Sequence, residues 1–445
     1  MINLAKIQDL ESVVSLNGEL LDLDVEVVVD NRELNSTSLY LCFIGNKYNP
    51  LLHLDKVKNS GCRYIVVEEG NDFDSDGLVV IIVNSLETFC AELAKEIAVN
   101  FQQRGGKIIV ISGSNGKTTT RSMTAHILSE LIDHDRVVET QKNNNNHLGV
   151  PFTVFQIRNN TKYAVIEFGS NHPGEIKFLC EMLSPDIGYT TNIGDSHLEF
   201  FGNRENVLLE ESLIKDYVRD KFFLNIDDEL LESLPRKKNF LELGVEAKNY
   251  PIKVGHDSLS WCDIVIKNEK LTGKHNYSNL AAACSLVSYF GYESDDIRKA
   301  AQSFMPTKNR SEWIKFKKLD VFLDAYNANP SSMRAAVDGF LASMQQKNVD
   351  LSRCCAVVGD MNELGDAAPA LHHEIGQYIV SQGIGHIIFV GRFADDYVDT
   401  ESENIKKFLN AAAAKDYIEQ LPSSYKYMFI KGSRSLQLES IIDIR

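Results

Sequence analysis

The sequence predicts an α/β protein of three domains whose sheets are mainly parallel. Three observations carry this expectation. Short β-branched runs alternate with amphipathic stretches along most of the chain, as they do where helices connect parallel strands. The 445 residues correspond to about three units at roughly 150 residues per domain. One buried-type strand leads directly into a glycine loop and an amphipathic stretch, the layout of a phosphate cradle.

Composition narrows the class. Hydrophobic residues make up 44% and charged residues 24% of the chain, which excludes disordered, collagen-like and coiled-coil proteins. Lys plus Arg number 46 against 62 Asp plus Glu, a net charge of −16. A general binder of nucleic-acid backbones needs the opposite balance, so no nucleic-acid partner is expected, although a local basic pocket is compatible with this charge. No apolar run approaches the ~18 residues of a membrane span. The opening residues lack the basic and long apolar regions of a signal peptide. The eight cysteines are scattered, form no C-x-x-C pair and mostly sit in apolar runs. They read as core thiols in a reducing compartment, so a cytoplasmic enzyme is expected.

The elements follow in order. The first domain is expected over residues 1–84, with strands at 25–29, 38–44, 64–68 and 78–83. A helix over 86–101 ends at Gly105-Gly106 and leads into a second domain over 85–308. There, a strand at 107–112 precedes the glycine loop. A helix follows with Met123, Ile127, Leu128 and Leu131 on one side. A strand is expected at 163–167, a helix at 173–183 with Pro173 in its first turn, and a strand at 187–193. Residues 220–273 read as short strands and turns. A helix over 276–290 is stopped by Gly291. The third domain, 309–445, has strands at 321–324, 354–359, 387–390 and 427–430, with helices between them that include 331–344 and 371–381. No internal repeat or low-complexity segment interrupts this pattern.

The chemistry begins at the glycine loop, Gly113-Ser114-Asn115-Gly116-Lys117-Thr118-Thr119. Glycines let the backbone approach an anion, the loop amides and the helix N-terminus face it, and Lys117 adds a point charge. The Thr118 hydroxyl is suited to a Mg²⁺ ion. The longer loop pattern G-x-x-x-x-G-K-[ST] is incomplete, because Ile111 stands where its first glycine belongs. Glu167 ends an apolar strand, and ligands of open α/β sheets bind at such carboxyl ends. It is either a metal-holding carboxylate or a solvated strand end. His197 follows another strand and can reach the same rim, or serve only as a structural histidine. The run Asn143 to Asn146 is either a plain polar loop or a source of amides for a substrate carboxylate or phosphate.

Several longer segments occur in order. They are residues 145–151 (Asn-Asn-His-Leu-Gly-Val-Pro), 167–176 (Glu-Phe-Gly-Ser-Asn-His-Pro-Gly-Glu-Ile), 197–202 (His-Leu-Glu-Phe-Phe-Gly) and 273–279 (Gly-Lys-His-Asn-Tyr-Ser-Asn). Beyond them lie 324–330 (Asp-Ala-Tyr-Asn-Ala-Asn-Pro), 359–365 (Gly-Asp-Met-Asn-Glu-Leu-Gly) and 431–434 (Lys-Gly-Ser-Arg). With the glycine loop, they resemble the Mur ligase family, the ATP-dependent amide-forming ligases of peptidoglycan synthesis. The likeness covers essentially the whole chain and is weakest in the first domain. Within the family it points to the members that add D-alanyl-D-alanine to UDP-N-acetylmuramoyl-tripeptide through an acyl phosphate.

The resemblance implies a small UDP-binding α/β domain, a central P-loop ATPase and a C-terminal Rossmann-like domain. It implies that Lys117 contacts the phosphates of ATP and that Thr118, Glu167 and His197 hold Mg²⁺. Asn276 would contact adenine and Asp324 the ribose, with Tyr326 and Asn329 on the adenine side. Arg310 would reach the terminal phosphate from the third domain. Asn31 and Arg32 would serve the UDP-sugar, and Asn145 and Asn146 the substrate. A monomer without membrane insertion is expected.

One position departs from the family pattern. Mur ligases usually carry a carbamylated lysine fourteen residues after the motif histidine, where this chain has Glu211. Either Glu211 replaces the carbamate beside the metal and frees the enzyme from CO₂, or the second metal site is lost. The second outcome would suit a non-catalytic nucleotide-binding relative. A folylpolyglutamate-synthetase-like ligase is a further alternative, against which the 171–176 and 360–365 segments speak.

Overall fold

The computed structural model describes residues 2–442 except 76, 400 and 401. Three sheets follow one another along the chain. The first has six strands in the order Ile2–Asn3, Asp24–Val28, Ser38–Leu41, Tyr64–Glu68, Val79–Val83 and Val13–Asn17. Its four inner strands are parallel, and its two edges are antiparallel. The edge strands carry no readable pattern. Ile2–Asn3 is only two residues long, and Val13–Asn17 has no fully buried residue.

The second sheet has nine strands. Lys107–Ser112 lies at its heart, between Ile187–Thr190 and Tyr163–Glu167, all parallel. Residues 108–112 are buried throughout, as expected of a strand covered on both faces. Short strands between Leu259 and Ile266 turn the far edge antiparallel. The third sheet has six strands, five of them parallel, with Glu312–Phe316 as an antiparallel edge.

Several expected elements have shifted ends, among them the strand expected at 38–44, which stops at Leu41, and the helix expected at 276–290, which spans Lys274–Ser288; two others have plain local causes. The strand from 187 stops at Thr190 because Thr191 and Asn192 leave the sheet to bind the glycine loop; Ser114 N–H donates to Asn192 O at 2.9 Å. The helix expected from Pro173 starts at Glu175. Gly174, with φ +93°, precedes it in a left-handed turn. Glu210 accepts the Gly174 and Ile176 N–H groups at 2.8 Å each, which supplies the partners a helix start lacks.

The helix Leu86–Gln103 serves two sheets at once. Its buried residues recur every four positions, as Phe89, Leu93, Ile97 and Phe101, which sets them on one face. They share a single buried cluster with Leu39, Val66 and Ile81 of the first sheet and Ile108, Val110 and Ile166 of the second. The third sheet keeps its own clusters, built around Phe322, Phe340 and Phe429 on one face and Val357 and Ile430 on the other. All eight cysteines are free. Among the described residues, no helix is long and apolar enough to cross a membrane.

Leu93 is fully buried where the two sheets meet the shared helix. Leu93→Ala is expected to cost about 2–5 kcal/mol of folding stability, read as a lower midpoint in urea unfolding followed by circular dichroism.

Candidate active site

The carboxyl ends of the central strands and the facing edge of the third domain enclose a cleft of about 680 Å³. The glycine loop forms its floor, and its shape requires glycine. Gly113 has φ +116°, and a Cβ there would stand 2.2 Å from Thr191 Oγ1 and 2.8 Å from Thr191 N. Gly116, at φ +82°, begins the helix Lys117–Leu131. Asn192 pins the loop by accepting Asn115 N–H at 3.2 Å on its side-chain oxygen and donating its amide to Asn115 O at 2.9 Å. Ser114 Oγ accepts Gly194 N–H at 2.8 Å. The result is a rigid cradle with a helix N-terminus behind it, suited to phosphate.

Three carboxylates surround this floor, each held differently. Glu167 ends its strand with Oε1 accepting from Asn145 Nδ2 at 2.8 Å. Its Oε2 is buried without a hydrogen-bond partner, 3.9 Å from Arg121 Nε. Glu210 and Glu211 close the helix Arg204–Glu211 and point to different loops. Glu210 holds the 170–176 turn, also taking the Ser170 hydroxyl at 3.2 Å. Glu211 lies beneath the glycine loop, 1% exposed, where its Oε2 accepts Gly113 N–H at 2.8 Å. Its Oε1 is 4.0 Å from Lys117 Nζ, and Lys117 itself folds back to donate to Gly113 O.

The third domain reaches into the same cleft. Arg310 Nη2 donates to Thr118 Oγ1 at 3.0 Å, and its guanidinium lies 4.0 Å over the Tyr326 ring. Burial lowers its pKa, opposed by the charges of Glu167, Tyr326 and Asp324. Asn115 of the loop donates to Ser331 Oγ at 2.9 Å and accepts from Asn329 Nδ2 at 2.8 Å. Asp324 pairs with the buried Lys431 at 2.7 Å, and Lys431 also donates to Asn327 O at 2.9 Å. His197 Nδ1 lies 2.7 Å from Glu363 Oε2.

Most residues singled out in the sequence meet in this cleft. Residues 114–119 line it, as do Asn145, Asn146, Glu167, His197, Asn276, Arg310, Asp324 and Tyr326. Four of these have local tasks as well. Asn145 orients Glu167, Asn146 accepts Gly149 N–H at 2.8 Å at the start of a helix, Asn276 donates to Thr272 O at 2.8 Å, and Tyr326 carries the Arg310 guanidinium. Gly113, Glu211 and Asn329 lie behind the wall. Gly113 is wedged against Thr191, Glu211 faces the loop backbone, and Asn329 caps the helix Pro330–Gln346 through Ser332 N–H at 2.8 Å. The Glu211 carboxylate therefore stands with Lys117 and not on the rim with Thr118, Glu167 and His197. Asn31 and Arg32 are outside the cleft, on the first domain. Asn31 donates to Tyr48 OH at 2.5 Å. Arg32 forks onto Asp30 and pulls its carboxyl down to about 2.

Several cleft residues had no role in the sequence reading, among them Asn279, Glu363 and Lys431. Asn279 touches the loop closely enough that a Cβ on Gly116 would meet it at 2.5 Å. It lies one helical turn after Asn276, on the same face, and that spacing was the available signal. Glu363 and Lys431 stood inside segments already singled out, with no individual role given to them.

The donor set suits a hard divalent cation. The unpartnered Glu167 oxygen and the Thr118 hydroxyl are oxygen donors, and Mg²⁺ takes one or two carboxylates while keeping waters and substrate phosphates. Among the described residues, no group of three or more His, Cys, Asp or Glu side chains gathers as a closed metal cage. The residues therefore fit an ion shared between protein and phosphate.

Residues 111–287 match the Mur ligase middle domain, and residues 309–434 match the Mur ligase, glutamate ligase domain. The chain is 28% identical to the UDP-N-acetylmuramoyl-tripeptide--D-alanyl-D-alanine ligase of Bacillus subtilis, over 94% of this chain and 92% of that one. It is 28% identical to the Escherichia coli protein of the same name, over 96% and 95%. Among solved structures, MurF from Acinetobacter baumannii superposes with a TM-score of 0.79 at 26% identity, covering 93% of this chain and 92% of its own. MurF from Thermotoga maritima in complex with ADP shares the fold, with a TM-score of 0.78 at 22% identity, over 94% and 96%.

His275 adds a pH dependence to this region. Its ring packs against Gly273 and Gly339, 2.9 Å from where a Cβ on Gly273 would stand. Burial lowers its pKa to about 4, with Lys431 adding to the effect and Asp324 opposing it. The unfolded chain takes up this proton near the ordinary value of about 6.5, while the folded one refuses it. The contribution to stability is thus present above pH ~6.5 and lost as pH falls toward 4. Unfolding midpoints measured over that range should fall with pH in the wild type and fall less in His275→Gln.

Proposed function

The chain belongs to the Mur ligase family, and we propose that it joins D-alanyl-D-alanine to UDP-N-acetylmuramoyl-tripeptide, converting ATP to ADP and phosphate. The reading rests on likeness over nearly the whole chain to ligases of that name. The single structural observation that carries it is the meeting of two cations from different domains. Arg310 of the third domain bonds Thr118 beside Lys117, on a loop built for phosphate.

The chemistry explains why such a meeting is useful. A carboxylate is a poor acylating agent at neutral pH. The tripeptide carboxylate takes the terminal phosphoryl group of ATP, leaving ADP and an acyl phosphate. The amine of D-alanyl-D-alanine then attacks the acyl carbon, phosphate departs and the amide forms. The first step brings two anions together. Lys117 and Arg310 offset that repulsion and stabilise the charge spread over the transferring group. Thr118, Glu167 and His197 would hold a Mg²⁺ ion, which would supply further positive charge.

The remaining residues take supporting roles in this reading. Asn145 fixes the Glu167 carboxylate. Asn276, Asp324 and Tyr326 line the side left for the nucleoside. Lys431 steadies Asp324, and Asn31 and Arg32 on the first domain serve the UDP end. Glu211 acts through the loop: it is a fixed anion that binds Gly113 N–H and attracts Lys117. A carboxylate built into the chain needs no CO₂ to be charged. Eight free and largely buried thiols suit a cytoplasmic setting.

Phosphate release from ATP tests the reading. Release is expected to require both UDP-N-acetylmuramoyl-tripeptide and D-alanyl-D-alanine, and to be equal in CO₂-depleted and bicarbonate-supplemented buffer. Arg310→Ala should lower kcat by about 10²–10³-fold. ATP binding without release under any of these conditions would sink the proposal, and stimulation by bicarbonate would sink the role given to Glu211.

A further inference from the structure

Glu363 lies in the third-domain loop that follows the strand Cys354–Gly359. It meets the central domain at two points. Its Oε2 is 2.7 Å from His197 Nδ1, and its carbonyl oxygen accepts Glu199 N–H at 3.2 Å. Both partners are held in an unusual backbone conformation, His197 at φ +52° and Glu363 at φ +65°. Left-handed conformations are uncommon for residues other than glycine and persist where the surroundings enforce them, often at functional sites. Gly365, at φ +55°, lets the loop come this close, since a Cβ there would stand 3.2 Å from Glu199 Cα. Both side chains line the cleft.

The contact has a chemical consequence for His197. A carboxylate beside Nδ1 favours the proton on that nitrogen, which leaves Nε2 with the lone pair. Carboxylates that act on histidine ligands in this way set both the tautomer and the orientation of the ring. The pair is close but not aligned as a hydrogen bond, so Nδ1 lacks a directed partner. Such contacts often tighten only when the site is filled.

We infer that Glu363 is a positioning residue for His197, holding the imidazole toward the metal edge of the phosphate site. The inference rests on the reading of that site given above. It makes the metal site depend on the third domain, which supplies the orienting carboxylate.

The test uses the full chain with ADP and Mn²⁺ as a paramagnetic probe for the divalent ion. Free Mn²⁺ is followed by electron paramagnetic resonance, and ADP affinity is measured separately in EDTA by calorimetry. Glu363→Ala and Glu363→Gln are expected to weaken Mn²⁺ binding in the presence of ADP by about 10-fold, with metal-free ADP affinity unchanged. In a His197→Ala background, removing Glu363 should weaken it no further. Unchanged Mn²⁺ affinity, or an equal loss in both backgrounds, overturns the inference alone. A wild-type chain that binds neither ADP nor Mn²⁺ overturns the nucleotide-site reading and the inference with it.

Discussion

The site depends on how little room lies beneath the glycine loop. At Gly113 any side chain would collide with Thr191, and the loop amide there is already given to a buried carboxylate. The strand Ile187–Thr190 ends early so that Thr191 and Asn192 can clamp the loop. With the backbone held this way, its remaining amides and the helix start behind it can present a fixed positive field. A preorganised field needs no rearrangement at the moment charge develops. The Glu210 and Glu211 pair shows the same economy: adjacent residues on one helix each fix a different loop of the cleft.

The third domain completes what the central domain leaves open. Asn115 binds Asn329 and Ser331, Arg310 binds Thr118, and Glu363 approaches His197. Every one of these contacts joins the phosphate side of the cleft to an element of the third domain. The cleft is therefore built between two domains and not within one of them. That arrangement suits a reaction whose partners must be shielded from water once bound.

The central parallel strands were legible because burial on both faces writes an unbroken apolar run. Lys107–Ser112, Tyr163–Glu167 and Cys354–Gly359 match their expected bounds for this reason. The edge strands Val13–Asn17 and Glu312–Phe316 were not legible, because half-exposed strands carry no such run. The phosphate loop could be read from its glycines and lysine. Glu211 could be named from its spacing, but its direction could not. Only the packing of its helix shows that the carboxylate points under the loop and not toward the rim. Asn329 is ambiguous in a similar way, since a helix-capping asparagine and a cleft-facing one look alike in a motif. Glu363 was the hardest to foresee, because its importance comes from a partner 166 positions away in the chain (363 − 197).

The helix Leu86–Gln103 belongs to no single domain. Its apolar face is the floor of the first sheet and the roof of the second. A fragment cut just before it would take this cover from the first sheet, and one cut just after it would take part of the cover from the second. The first domain is thus not a transplantable module, and evolution cannot exchange it without re-matching this one helix to both neighbours. The third sheet, with clusters of its own, shares no such apolar helix and meets its neighbour through the polar contacts of the cleft.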